Sequence, residues 1–541
     1  MSRKAGLDGL CSRRTFGGDW MRPLYTFALV VAILFLLAVA RLARLDAGGP
    51  AHEFVNLPGQ EPATLYLPGE GNPFFRVFPP AQRPPAIVMV HGFTADRQFM
   101  SMLARRIAQN GYAVLAIDVG GHGENRNPFP AGLANADALR PDVKKAVDFL
   151  RSYQKVDGSR IAVMGHSMGA GAVLDYATVD PDLKGAIMIS GGFGLTGPER
   201  PKNALFIFAQ NDPSFIGSVS TEIASHLAGV PNIELGKTYG EFTQGNAVEA
   251  IQIPRVNHVT IAYSAEAAAT MVRWLDGAFG TTRAGEIDLR EPRRNAAILA
   301  VLLFVVLLIP LGKIGGEIAG EWTEGPSGLG GWPGLAILVV ALLTAMPLVA
   351  MIVPTAFFPL VVGDVQVAWF WAAGVILVTV LIRAQVLQWR RLRDGSGATV
   401  FAALLVMTII YLCQVAGQVT LHTLALTPER LIFTVVGTLL LLPFWLGFEF
   451  MLRRGDLVVS TVRATIGRAL IIAMLVVGIF LQVLPGVLIL ILPNLVLIYV
   501  TVEILAVSVY SSSRNLMLIA LVESMWFTWT IAATAPITFM L

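Results

Sequence analysis

From residue 295 to its end the chain is almost unbroken apolar sequence, and this constrains its fold more than any other feature. Eight stretches stand out: 295–312, 335–359, 366–387, 398–418, 431–451, 468–484, 486–508 and 515–536. About 17–25 apolar residues wound as a helix cross the hydrocarbon core of a bilayer. Inside lipid each segment must satisfy its own backbone polar groups, which a helix does. Residues 295–541 are therefore expected to form an all-α membrane domain of about eight spans, with the fused run 468–508 divided at Pro485-Gly486. Composition agrees, with 55% hydrophobic and only 14% charged residues, against about 25% charged in soluble domains.

A further run, 23–40 (PLYTFALVVAILFLLAVA), carries no charge and follows a short basic segment, 1–22, with Arg3, Lys4, Arg13, Arg14 and Arg22. Its length, and Arg41 and Arg44 just after it, favour a retained transmembrane anchor over a cleaved signal peptide. Basic loops collect on the cytoplasmic side of a membrane. With the N-terminus inside, the basic loops all fall inside: Arg390, Arg391 and Arg393; Arg453, Arg454, Arg463 and Arg468; Arg514. The loop with Asp364 and the loop near His422, whose base is Arg430, fall outside. That count puts the chain between the first two spans on the exoplasmic face of the cell membrane.

That intervening chain, residues 45–294, has a different pattern. Short β-rich runs at 86–93, 112–121, 160–167, 184–190 and 204–212 alternate with stretches of helical period such as 141–154 and 265–279. Near-continuous apolar strands with crossover helices predict a mostly parallel sheet covered by helices on both faces. Lys and Arg total 40 against 37 Asp and Glu, a net charge of +3, and no nucleic-acid-binding module is present. Membrane lipids, not nucleic acid, are the expected partner. The two cysteines, Cys11 and Cys413, form no disulfide or CxxC pattern, and no metal or organic cofactor is implied.

Gly165-His166-Ser167-Met168-Gly169 follows the strand-like IAVM and precedes the helix-like AGAVLDYA. A serine at such a strand-to-helix turn is exposed, and the next backbone N–H and the helix N-terminus face a developing oxyanion. A serine hydroxyl needs a base to take its proton. In the chain order Ser, acid, His, the acid is Asp212 at the end of ALFIFAQND, and the base is His258 in RVNHVTIAYS. His226, in TEIASHLAG, is read as lying on a surface helix. A second oxyanion donor is expected in VMVHGFTADR, from the N–H of Phe93 or of Thr94, with Phe93 preferred and paired with Met168. His91, Asp118 and His122 are read as structural braces, and His166 as elbow packing.

These residues, His91-Gly92-Phe93, the DxxGHG stretch from Asp118 to Gly123, the elbow at Ser167, Asp212 and His258, resemble the α/β-hydrolase superfamily over residues 86–279. The DxxGHG stretch and the HGF loop are similar to its esterase, lysophospholipase and dienelactone-hydrolase-like members. The resemblance implies a serine hydrolase acting on acyl esters, lipid-like or otherwise, through an acyl-enzyme. Only about a dozen residues separate Ser190 from Ala204, where many lipases carry a cap. The site is therefore expected to be open, or covered by the membrane domain or by the 213–250 insert. Two other readings stand beside it: an acyltransferase using the same triad, and a transporter with a regulatory hydrolase-like domain. For the latter the candidates are Glu503 and Glu523, as a proton or substrate path, with Gln414, Gln418, Gln482 and Asn494 as polar neighbours. Glu449, four residues before Arg453, is expected to make an interfacial ion pair.

Overall fold

The computed structural model of the protein describes residues 21–70, 82–130, 136–192, 200–321, 331–351, 358–384, 396–417 and 424–538. Arg3, Lys4, Cys11, Arg13, Arg14, Arg390, Arg391, Arg393, Gln418 and His422 lie outside them. Helix α1 (Met21–Ala47) contains the first apolar run and continues past Arg41 and Arg44.

After α1 comes an eight-stranded sheet: β1 (Pro50–Asn56), β2 (Pro62–Glu70), β3 (Pro85–Val90), β4 (Ala113–Ile117), β5 (Asp157–His166), β6 (Gly185–Ile189), β7 (Ala204–Ala209) and β8 (Val248–Ile253). Its order is β1-β2-β4-β3-β5-β6-β7-β8. β2 is antiparallel to both neighbours, and the strands from β4 to β8 run parallel. The five apolar runs fall on β3 to β7. Successive side chains of a strand point to opposite faces. Ile87, Met89, Met164 and Ile187 pack with α2 (Ser101–Gln109) and α6 (Ala265–Phe279). Val88, Val90, Val163 and Met188 pack with α3 (Arg140–Ser152), α4 (Met168–Ala177) and α5 (Ser214–Ala228). Both faces are covered, which is why these strands read as continuous apolar runs. Val90 pairs with Gly165, Gly165 with Met188 and Met188 with Phe206, so the carboxyl ends of β3, β5, β6 and β7 lie side by side.

Eight more long helices follow: α7 (Arg293–Ala319), α8 (Trp332–Met351), α9 (Gly363–Arg383), α10 (Ser396–Gly417), α11 (Pro428–Leu452), α12 (Leu457–Phe480), α13 (Leu492–Ser513) and α14 (Leu516–Thr534). With α1, nine helices among the described residues are long and apolar enough to cross a membrane. The chain is thus an α/β sheet domain joined to an all-helical, multi-pass membrane region. Helices α9 and α11 approach closely through small residues: a Cβ on Gly374 would lie 2.4 Å from the Phe444 nitrogen, and one on Gly447 would lie 2.4 Å from Leu377 Cβ.

Two boundaries differ from expectation. Helix α12 begins at Leu457, not at 468, so Arg463 and Arg468 lie inside a span instead of in a loop. Helix α11 begins at Pro428, so Arg430 belongs to a helix, not to the loop near His422. The interruption at Pro485-Gly486 is present, as a 3-10 turn over Gly486–Ile491 between α12 and α13.

The sheet domain is inserted between α1 and α7, and the facing ends of those helices meet. Asp46, near the end of α1, is bound by Arg293 at the start of α7 (2.7 Å) and by Arg105 of α2 (3.1 Å), with His52 of β1 at 3.6 Å.

Candidate active site

Ser167 sits between β5 and α4 with φ 55° and ψ −116°, a backbone conformation that costs a non-glycine residue energy unless its surroundings enforce it. They do so by close packing. A Cβ on Gly165 would lie 2.1 Å from the Gly169 carbonyl oxygen, and one on Gly169 would lie 2.5 Å from the carbonyl oxygens of Val90 and His91. The Ser167 N–H donates to the Ile189 carbonyl (2.8 Å), tying the turn to β6.

Three separate segments bring Ser167, His258 and Asp212 together. His258 Nε2 lies 2.9 Å from Ser167 Oγ, and His258 Nδ1 lies 2.8 Å from Asp212 Oδ1. The second Asp212 oxygen accepts from Ser190 Oγ (2.7 Å) and from the Ala209 N–H (2.8 Å). Burial disfavours the Asp212 charge, but the bonds from His258, Ser190 and Ala209 outweigh it and hold the carboxyl below its usual range. His258 rides on an Asx turn, in which Asn257 Oδ1 accepts from the N–H groups of Val259 and Thr260. Its carbonyl accepts from His166 Nε2 at 2.8 Å. Burial, then the neighbouring His258, lowers His166 to about 3, so it stays neutral. Sequence reasoning missed Ser190 and this use of His166. Their signals were a serine ending the run KGAIMIS and a histidine beside the elbow. His226 is exposed on α5, away from this group.

Gly92, at the start of the loop after β3, lies against the elbow: a Cβ there would be 3.1 Å from Ser167 Cβ. Phe93 and Thr94 follow, Thr94 with φ 60°. The loop is held by His91, whose Nδ1–H donates to the Gly92 carbonyl (2.8 Å) and whose Nε2 accepts from the Val119 N–H (3.2 Å). Asp118 accepts from the Arg97 N–H (2.7 Å) and the Glu124 N–H (3.0 Å) and pairs with the Arg97 guanidinium. His122 packs its ring against those of His91 and Phe129, at 5.0 and 5.2 Å between centroids.

The loop after β4, which carries Asp118 and His122, docks on the helical region. The Gly121 carbonyl accepts from the Ile537 N–H (3.0 Å) and from Arg430 Nη2 (2.8 Å), and the Phe129 N–H donates to the Ile537 carbonyl (2.6 Å). Arg430 is 1% exposed and also donates to the Ala532 and Ala535 carbonyls. Arg126 pairs with Glu429. Phe93 packs against the apolar core of the helical region. Phe93 and Thr94 also line a cavity of about 430 Å³ whose other walls are transmembrane helices and the 3-10 turn, with Gln414 and Asn494 among its polar residues. The membrane region therefore covers this flank of the site, whereas α5, in the 213–250 segment, packs on β7 and β8.

Glu503 and Glu523 meet Glu449 in one buried ionic cluster. Arg453 bonds Glu503 (2.8 and 3.0 Å) and Glu449, and Arg468 bonds Glu449 (3.4 Å), Glu503 and Glu523. The Glu449–Arg453 pair exists, but it is not interfacial: both residues are fully buried, because α12, α13 and α14 surround them with opposite charges. Among the described residues no group of three or more His, Cys, Asp or Glu is placed to hold a metal ion.

A family model described as serine aminopeptidase, S33, matches residues 81–220. Cutinase est2 of Thermobifida alba is 34% identical over 128 residues, which are 24% of this chain and 38% of that one. Residues 81–220 lie in an α/β-hydrolase domain related to cutinases. A bis(hydroxyethyl) terephthalate hydrolase of Streptomyces coelicolor is 28% identical over 152 residues, 27% of this chain and 45% of its own length. The matches thus span less than half of these relatives. A solved hypothetical protein of Pseudomonas aeruginosa, 16% identical with a TM-score of 0.30, covers 42% of this chain and 92% of its own. The matched residues 81–220 carry strands β3 to β7 and the elbow at Ser167.

Proposed function

We propose that this protein is a membrane-integrated carboxylic ester hydrolase with Ser167 as nucleophile, His258 as general base and Asp212 as the group that orients it. The observation that carries the reading is the hydrogen-bonded series Ser167–His258–Asp212, at 2.9 and 2.8 Å. Ser167 Oγ attacks the ester carbonyl as its proton passes to His258 Nε2. The oxyanion takes hydrogen bonds from the Phe93 and Met168 N–H groups. The carbon–oxygen bond to the alcohol breaks as His258 returns the proton to it, leaving an acyl-serine. Water, deprotonated by His258, then attacks that acyl group, and the acid leaves as Ser167 recovers its proton. Asp212 holds the imidazole with Nδ1 protonated and stabilises it when it is cationic. The relatives named as cutinases and a terephthalate ester hydrolase support an ester as substrate.

The catalytic domain lies on the exoplasmic side. Arg22, Lys313, Arg383, Arg454 and Arg514 fall at or near the helix ends opposite the sheet domain, against Arg41, Arg44, Arg293, Arg294 and Arg430 on its side; the basic sequence runs Arg3–Arg22 and Arg390–Arg393 tip the balance to the former side, which the cytoplasm favours. The test is labelling by a fluorophosphonate in native membranes. Wild type should label and Ser167→Ala should not; equal labelling of both, or no labelling with no ester turnover, would overturn the reading. A membrane-impermeant form of the probe, added to intact cells, should label the wild type.

A further inference from the structure

The cavity beside the oxyanion loop bears on what the ester is attached to. It starts at Phe93 and Thr94 and follows α14 from Ala535 and Thr534 down to Trp526. Nine residues of helix span about 13 Å, close to the half-thickness of a hydrocarbon core about 30 Å across. The cavity is therefore about one leaflet deep. Two of its lining residues, Val301 of α7 and Leu497 of α13, are also 39% and 58% exposed on the apolar outside of the bundle. That puts a mouth of the cavity at the surface that lipid covers.

Sheet order decides which part of an ester the cavity faces. Ser167 follows β5. His258 and Asp212 come from the β6–β8 flank, and Phe93 and Thr94 come from the β3 flank. His258 must protonate the departing alcohol, so the alcohol lies on the β6–β8 side. The other substituent of the carbonyl carbon then points towards β3, where the cavity begins. We infer that the cavity holds the acyl chain of a membrane lipid ester, drawn sideways from the outer leaflet between α7 and α13, with its carbonyl at Ser167. This rests on the proposed ester hydrolysis at Ser167 and adds a substrate class to it.

The experiment uses the full chain in phospholipid nanodiscs and two phosphonate probes with the same leaving group. One is methyl-substituted; the other carries a hexadecyl chain ending in a diazirine. Both should label Ser167. After irradiation, the long probe should crosslink to peptides of α7, α13 or α14. Crosslinks confined to the sheet domain or to lipid would overturn the cavity as the acyl site. Failure of the methyl probe would instead overturn the role of Ser167. In parallel, kcat/KM for soluble esters should rise by up to about fourfold per added methylene. Thr530→Trp, which fills the cavity, should lower the ratio of long-chain to short-chain kcat/KM by roughly tenfold, the worth of about two methylenes, with methyl-probe labelling as the check that the variant is folded. A chain-length series that is flat in both proteins would also sink the inference.

Discussion

Replacing Asp212 by Asn separates the orientation of His258 from the packing around it. The carboxylate accepts three hydrogen bonds: from His258 on one oxygen, and from Ser190 and the Ala209 N–H on the other. An Asn carbonyl can keep the Ser190 and Ala209 bonds, which leaves its NH2 facing His258 Nδ1. An NH2 only donates, so Nδ1 must become the acceptor and the ring proton moves to Nε2. Nε2 then carries a hydrogen where it faces Ser167 Oγ at 2.9 Å and can no longer take the serine proton. Turnover should fall by about 10⁴, as for this change of tautomer in the serine-protease triad, equivalent to about 5.5 kcal/mol in the barrier. Stability should fall far less, by about 1–2 kcal/mol, because one charge-assisted bond is weakened and no partner is left unpaired. The assay is hydrolysis of a short soluble ester beside thermal unfolding in the same detergent. Turnover within tenfold of wild type, in a folded variant, would refute the reasoning. The sign with pH is also determined. The Asp212 carboxyl is held below its usual value, so its stabilisation is present above about pH 3.9 and is lost as the pH falls through the lower folded value. The deficit of the Asn variant should persist at neutral pH and close only in strong acid.

Four further variants can be checked. His166 titrates at about 3 in the fold against about 6.5 when unfolded; its contribution is full above that upper value and shrinks as the pH drops below it, so His166→Asn should flatten the fall of Tm with acid and lower kcat by loosening His258. Arg430→Met leaves the Gly121, Ala532 and Ala535 carbonyls without their guanidinium donor; unfolding in detergent should show a loss of about 2–4 kcal/mol, given roughly 1–3 for each buried group left unpaired and partial compensation by the Ile537 bond. Glu523→Gln should keep short-ester turnover within about threefold, since an amide can still bond Arg468 and three carboxylates face only two guanidiniums, whereas Arg468→Met should cost roughly 3–5 kcal/mol by stranding buried charge. A transport activity kept in Ser167→Ala and destroyed in Glu523→Gln would favour the transport reading instead.

The parallel strands and the elbow were legible because their signals are local. β3 to β7 are buried on both faces and read as apolar runs, and a strand, a glycine-flanked serine and a helix lie within one short stretch. The strands at the two ends of the sheet, and β2 beside one of them, lack that signal. β1 carries His52 and Glu53 on a partly exposed edge, β2 holds Pro62 and Pro68, and β8 mixes Glu249 and Gln252 with its apolar residues. Asp212 and His258 could be found from chain order, but the bond from Ser190 depends on how β6 and β7 end together, which sequence does not display. The start of α12 was misread because Arg463 and Arg468 are unfavourable in lipid when taken alone. Their helix is tolerated there because Glu449, Glu503 and Glu523 arrive from three other helices. The cavity was hidden for the same reason, being assembled from residues scattered over the chain.

The junction at Asp46 has a consequence for the proposed hydrolysis at Ser167. The sheet domain begins after α1 ends at Ala47 and hands back to the helical bundle at Arg293, and both connections are fastened through the Asp46 carboxylate to Arg105. With the Gly121 loop bonded to α11 and to the segment after α14, Ser167 is tied to the helical bundle at three points, like a blade on a gantry. Under the proposed hydrolysis such a device measures depth, selecting bonds by the level at which they ride and not by the headgroup beyond them.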